Sequence, residues 1–207
     1  MNNIYIFNIS GYSDSELKKI SCLVDGLPDA IREHILKKRG NRLLSIIGWE
    51  ILSALKEKYN YDLNTIYYGK YGKPYMNNIY FNISHSGKWV IVGISKHEIG
   101  VDVETKVFND IYEILELFSE EERRRIMSYS YDIQIGFKYY WSAKEAWVKK
   151  SGIGIEAIIN PKMNNDEFEK DKCIQLQLDN ESVLSVYSDD KDIVYNYISF
   201  SNGIFYY

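Results

Sequence analysis

Three short apolar runs, 79–83, 89–94 and 100–103, crowd into one small part of this chain. Runs of that length, rich in Ile, Val and aromatic residues, read as strands, and Gly87-Lys88 sits where a hairpin would turn. Strands clustered in this way, rather than alternating strictly with helices, favour an α+β fold over a doubly wound sheet. The flanking segments fit that class. Residues 4–9 alternate well enough to be a first strand. Ser13 or Asp14 can cap a short helix running to about Val24. Pro28 opens a longer helical stretch, with Ile31, Ile35, Leu44, Ile47, Ile51 and Leu55 at helical spacing. Gly40-Asn41 interrupts it, and it ends near Tyr59-Asn60. A short strand over 66–68 precedes the turn at 69–74. Beyond Glu104 the chain reads as helices over 111–118, 120–128 and 132–150. Strands over 173–178, 183–187 and 193–200 follow, and 164–172 reads as a polar surface loop.

The 207 residues suit one large domain or two closely packed halves of about 100 each. No stretch approaches the ~20 apolar residues of a membrane helix, and the start of the chain lacks the pattern of a signal peptide. Cys22 and Cys173 are too few for a disulfide framework or a zinc cage. A cytoplasmic protein without membrane contact is the expectation. A net charge of −4 argues against general nucleic-acid binding. The basic residues are uneven, however: Arg32, Lys37, Lys38, Arg39 and Arg42 lie close together. They form either a solvated helix face or a grip on a phosphate-rich ligand or acidic partner.

Three segments carry chemistry. In Gly100-Val101-Asp102-Val103-Glu104, a strand would put both acids on one face, about 7 Å apart. Unpaired, they repel each other; a hard divalent cation such as magnesium would remove that conflict. The alternative is an exposed strand with two solvated acids. In the helix around Trp141-Ser142-Ala143-Lys144-Glu145, the residues Trp141, Glu145 and Lys149 share a face. Glu145 is then a third metal ligand with Lys149 a phosphate contact, or the two form a simple helix pair. In Asn82-Ile83-Ser84-His85-Ser86-Gly87, small hydroxyls, an imidazole and a glycine follow a strand, as a turn able to face an anion. His34 and His97 read as structural or exposed.

Taken in order, Gly72-Lys73-Pro74, Asn82-Ile83-Ser84-His85-Ser86, Gly100-Val101-Asp102-Val103-Glu104 and Trp141-Ser142-Ala143-Lys144-Glu145-Ala146-Trp147-Val148-Lys149 closely resemble the motif series of the Sfp-type 4′-phosphopantetheinyl transferases. The resemblance implies two pseudo-symmetric lobes, 1–104 and 105–207, with coenzyme A and a metal held at their interface. It implies Mg²⁺, or Mn²⁺, on Asp102, Glu104 and Glu145. Lys149 would contact the pyrophosphate, Lys73 and Pro74 the adenine side, and Ser84 and His85 the nucleotide phosphates. Arg32, Ser45 and Arg42 would fall near the 3′-phosphate. Glu145, Lys149 and His85 would be the catalytic residues.

The reaction implied is transfer of phosphopantetheine to a serine of an apo acyl, polyketide or peptidyl carrier protein by a monomer. Two other outcomes stay open: a metal-dependent phosphodiesterase acting on a nucleotide pyrophosphate, and a non-catalytic module binding coenzyme A or a carrier. Glu122 matches a family glutamate sometimes considered in catalysis. Ser119-Glu120-Glu121-Glu122 is equally a capping box, and that is the preferred reading.

Overall fold

The computed structural model describes residues 1–37, 41–105, 107–129, 132–158 and 168–207. Lys38, Arg39 and Gly40 of the basic segment, and 164–167 of the expected loop, lie outside the described residues.

The first strand, β1 (Asn2–Asn8), is buried on both faces: Ile4, Tyr5, Ile6 and Phe7 have no exposed surface. Three helices follow: α1 (Asp14–Cys22), α2 (Asp29–Lys37) and α3 (Arg42–Tyr59). Ser13 and Glu16 close a capping box over α1. The Asn41 side chain accepts from the Leu43 N–H at 3.1 Å to start α3, and left-handed Asn60 stops it. Next come β2 (Tyr67–Tyr68), β3 (Pro74–Tyr75), β4 (Tyr80–Ser86), β5 (Trp89–Ser95) and β6 (Ile99–Glu104). The helices α4 (Ile111–Glu116), α5 (Glu120–Tyr129) and α6 (Ile133–Ser151) follow. The strands β7 (Cys173–Gln177), β8 (Val183–Ser188), β9 (Ile193–Tyr197), β10 (Ser199–Ser201) and β11 (Ile204–Tyr206) complete the chain.

Three sequence expectations need correction. Residues 84–86 are strand, not turn; β4 runs through Ser86 because it pairs with β5 as far as Trp89. The tail strand expected over 193–200 breaks at Ile198, whose N–H donates to the Ile6 carbonyl at 2.9 Å, and β10 and β11 form a separate hairpin. Phe168 is buried rather than loop surface, stacked on Tyr187 with ring centroids 5.9 Å apart.

The fold is α+β. One sheet has the order β4-β5-β1-β9, antiparallel except that β9 runs parallel to β1. The other has the order β6-β8-β7 and is antiparallel. Strand alternation assigns the faces. Tyr5, Phe7, Val90, Val92 and Ile94 face a core shared with α1, α2 and α3. Ile4, Ile6 and Ile91 join Ile99, Val101, Val103, Leu184 and Val186 in a second core between the two sheets. The outer face of the smaller sheet lies under α6, whose Phe137, Tyr140, Ala143, Ala146 and Trp147 build a third core. The layers are therefore helices, sheet, sheet, helices. Each fully buried Ile, Val or Phe contributes roughly 1.5–3 kcal/mol of apolar burial. No helix among the described residues is long and apolar enough to cross a membrane.

Candidate active site

The outward face of β6 carries Gly100, Asp102 and Glu104, while Val101 and Val103 point into the core between the sheets. A Cβ on Gly100 would lie 1.8 Å from the Ala146 carbonyl oxygen, so glycine lets α6 settle directly on β6. That close approach sets the carboxylates of β6 against the polar side of α6. Asp102 and Glu104 are only 2% and 6% exposed, which removes the reading of two solvated surface acids.

One edge of β6 pairs with β8 through the backbone. The other edge is satisfied by side chains of β4. Asn82 Oδ1 accepts from the Val101 N–H at 2.9 Å, Ser84 Oγ from the Val103 N–H at 3.2 Å, and Ser86 Oγ from the Thr105 N–H at 3.3 Å. Three rungs at two-residue steps thus join the edges of the two sheets. The serines also donate onward, Ser84 Oγ to Asp102 Oδ1 at 3.0 Å and Ser86 Oγ to Glu104 Oε1 at 3.3 Å. The sequence places Asn82 and Ser86 in the segment 82–87 but assigns neither a role of its own, although their period of two with Ser84 is visible.

Glu145 and Lys149 come down from α6, one turn apart. Lys149 Nζ lies 2.5 Å from Asp102 Oδ1 and 3.2 Å from Glu145 Oε2, and donates to Ser84 Oγ at 3.1 Å. Trp141 Nε1 donates to Glu145 Oε1 at 2.7 Å. The simple helix pair is therefore part of a larger cluster. Burial alone would lower the Lys149 pKa, but Asp102 and Glu145 outweigh it and hold the ammonium above its usual range. Burial, then the charge of Asp102, pushes Glu145 up, against the pull of Lys149. Among the described residues no three acid, imidazole or thiol groups form a ready metal cage. Yet Asp102 Oδ2 is buried without a hydrogen-bond partner. A buried carboxylate oxygen left over on Asp102, with Glu145 sharing the same ammonium, is chemistry that suits a hard cation.

A cavity of ≈ 200 Å³ leads away from Glu145 and Lys149, bordered by Tyr71, Lys73, Pro74 and Ile83. Gly152, left-handed at φ 67°, ends α6 beneath it. The Lys73 ammonium donates to the Lys150 carbonyl, and burial lowers its pKa to about 8. A smaller cavity of ≈ 60 Å³ shares Pro74, Asn82 and Ile83 and ends at His34, Ser45 and His85. There Ser45 Oγ and His85 Nε2 are 3.0 Å apart. Ser84 and His85 thus serve opposite faces of β4, the hydroxyl toward the acids and the imidazole toward α3. His34, stacked on Tyr68 at 4.3 Å, lines this end, a placement no local sequence signal revealed. Arg32 pairs with Asp29, and Arg42 donates to the Leu36 carbonyl at 3.3 Å; neither borders the two cavities.

Glu122 lies apart from these groups. Its Oε2 accepts from the Ser119 N–H at 2.8 Å, and Ser119 Oγ accepts from the Glu122 N–H at 3.2 Å, which completes the capping box. Its Oε1 accepts from Tyr140 at 3.1 Å and pairs with Lys144, which is 1% exposed. Burial would raise Glu122, but Lys144 and Ser119 hold it below its ordinary value.

Residues 98–200 match a family described as the 4′-phosphopantetheinyl transferase superfamily. The chain is 38% identical over 93 residues to the 4′-phosphopantetheinyl transferase gsp of Aneurinibacillus migulanus, covering 44% of this chain and 39% of that protein. It is 33% identical over 111 residues to a 4′-phosphopantetheinyl transferase of Bacillus subtilis, and 32% identical over 111 residues to the 4′-phosphopantetheinyl transferase Sfp of Bacillus subtilis strain 168. Each of these two matches covers 51% of this chain and 50% of the relative. The chain spans about half the length of the curated relatives it matches.

Proposed function

With residues 98–200 of this chain belonging to the 4′-phosphopantetheinyl transferase superfamily, we propose that the protein transfers the 4′-phosphopantetheine of coenzyme A to a serine of an apo acyl, polyketide or peptidyl carrier protein. The observation that carries this reading is the cluster of Asp102, Glu145 and Lys149 beside one groove, with a second cavity that shares the walls Pro74, Asn82 and Ile83 and ends at His85. The first hollow has cationic groups in Lys149 and Lys73 and the second a donor in His85, which suits a ligand with phosphates at two places.

In the reaction we propose, the carrier serine oxygen forms a bond to the β-phosphorus of coenzyme A. The bond from that phosphorus to the bridging oxygen breaks, and 3′,5′-ADP leaves. Asp102, Glu104 and Glu145 would hold Mg²⁺, with Mn²⁺ a substitute. The unpartnered Asp102 Oδ2 supports that assignment. When bound, the ion neutralises pyrophosphate oxygens as charge shifts to the leaving group. Lys149 adds positive charge there, and His85, beside Ser45 on the other face of β4, would add a donor toward the second phosphate site. Glu145 would take the serine proton as general base. Lys73 and Pro74 flank the adenine side, while Ser84 assists at the phosphates. Ser45 borders the far end, with Arg32 and Arg42 on the elements beside it. The two lobes, 1–104 and 105–207, would meet around this groove, each lending a strand to the other's sheet: β6 to the second and β9 to the first. The protein would act as a cytoplasmic monomer with no role for nucleic acid or membrane.

Mass spectrometry of several apo carrier proteins incubated with this protein, coenzyme A and Mg²⁺ tests the reading. One added phosphopantetheine per carrier supports it, and the panel ranks the partners. Release of phosphopantetheine without a carrier would instead mark a phosphodiesterase, and tight coenzyme A binding without transfer a binding module. Glu145→Gln should lower turnover by ~10²–10⁴-fold, the range of a lost general base. A Glu145→Gln protein with normal turnover would remove the proton assignment.

A further inference from the structure

We infer that Ser86 is a positioning residue for the metal-facing acid Glu104, an inference that rests on the transferase reading above. The three rungs between β4 and β6 are not equivalent. Asn82 touches only backbone: its Oδ1 serves the Val101 N–H. Ser84 serves the Val103 N–H and is shared with Asp102 and Lys149. Ser86 is the rung that reaches Glu104. Its Oγ donates to Glu104 Oε1 at 3.3 Å and lies 2.9 Å from Thr105 Oγ1. The arrangement that satisfies both has the Thr105 hydroxyl donating to Ser86 and the Ser86 hydroxyl donating to Glu104. The same Glu104 oxygen accepts from the Thr105 N–H at 2.8 Å.

Two donors converging on one oxygen fix the rotation of the Glu104 carboxylate and leave its direction set before any ion arrives. Partners of this kind behind a ligating carboxylate set its orientation and basicity, and their loss costs about 10–100-fold in metal affinity or activity. Ser86 is also the one rung whose removal orphans no backbone group. The Thr105 N–H keeps Glu104 Oε1 as acceptor if the serine hydroxyl goes. Removing Ser84, by contrast, takes the acceptor from the buried Val103 N–H. A defect in Ser86→Ala therefore reports on the acid and not on the strand. Thr105 presses close behind it: a Cβ on Gly87 would lie 2.8 Å from Thr105 Oγ1, so glycine at the hairpin turn keeps this relay in place.

The test measures Mn²⁺ affinity by titration calorimetry on the full chain with saturating coenzyme A and no carrier, for the wild type, Ser86→Ala and Ser86→Thr. Coenzyme A affinity without metal and the thermal midpoint are measured alongside. The expected result is an Mn²⁺ affinity reduced about 10-fold or more in Ser86→Ala, with metal-free coenzyme A affinity and midpoint close to wild type. Ser86→Thr, which keeps the hydroxyl, restores the metal affinity. Unchanged Mn²⁺ affinity in Ser86→Ala overturns the inference. So does an equal loss of metal-free coenzyme A affinity or of thermal stability, because either would mark the serine as structural. A wild-type protein that binds neither coenzyme A nor Mn²⁺ overturns the transferase reading itself, and this inference with it.

Discussion

Asp102 and Glu145 share one ammonium, that of Lys149. The lysine is therefore the counter-ion that lets buried acids coexist without a metal, and it competes for the position a divalent ion would favour. Lys149→Met should give two effects of opposite sign. Turnover falls, because the pyrophosphate loses a cationic contact. Mn²⁺ binding to the protein without coenzyme A tightens, because the acids lose their internal partner; spin-resonance titration of free Mn²⁺ reads this directly. Weaker Mn²⁺ binding in that variant would contradict the competition. Glu122 poses the converse case. Its carboxylate balances an ammonium that is almost wholly enclosed, so Glu122→Gln takes away the acid paired with Lys144 and leaves the ammonium over the Phe118 and Tyr140 rings. The expected loss is about 3–5 kcal/mol in chemical denaturation. Addition of Lys144→Met recovers much of it, and turnover of the folded fraction persists throughout. A large turnover loss at unchanged stability would make Glu122 catalytic instead.

Single elements impose their own conditions. On α3 the half-buried Glu50 has no hydrogen bond or ion pair among the described residues, and burial lifts its pKa from 4.5 to about 7. Such a carboxyl binds its proton more tightly folded than unfolded. Below pH ~4.5 both states hold the proton and the group costs nothing. Between about 4.5 and 7 the unfolded chain ionises while the folded one keeps its proton, so stability declines, by on the order of 3 kcal/mol at most, and above about 7 the loss levels off. Thermal midpoints between pH 5 and 8 should fall for the wild type and flatten for Glu50→Gln. The elements themselves were largely legible from local signals. The Ser13 cap, the Asn60 stop and the strand cluster after Gly69 all declare themselves within a few residues. The ends were less so. Ser84 and Ser86 look like turn residues, yet they extend β4 because β5 and β6 both bond to them. The break at Ile198 depends on a carbonyl nearly two hundred positions earlier, which no local window contains.

At the scale of the molecule, regular spacing predicts only that Asp102 and Glu104 share a strand face and Glu145 and Lys149 a helix face; joining the four rests on the resemblance of the ordered motifs, and Lys149 contacts both Asp102 and Glu145. Gly100 sets the depth at which that strand and helix meet, and that number lies only in the packed structure. The same is true of His34 and His85 facing one cavity from α2 and β4. The side-chain rungs between β4 and β6 have a mechanical consequence. Backbone ladders are stiff in register, whereas hydroxyl and amide rungs can lengthen or rotate while each sheet keeps its own bonds. Hydrogen exchange should show it: the Val101 and Val103 amides, held by side chains, should exchange on the order of tenfold faster than those of Asp102 and Glu104, which face β8. Equal protection would argue for a rigid join. A protein built this way has an expansion joint beside its acids, so a bulky guest can be admitted by a small gap along one line and not by the loosening of either half.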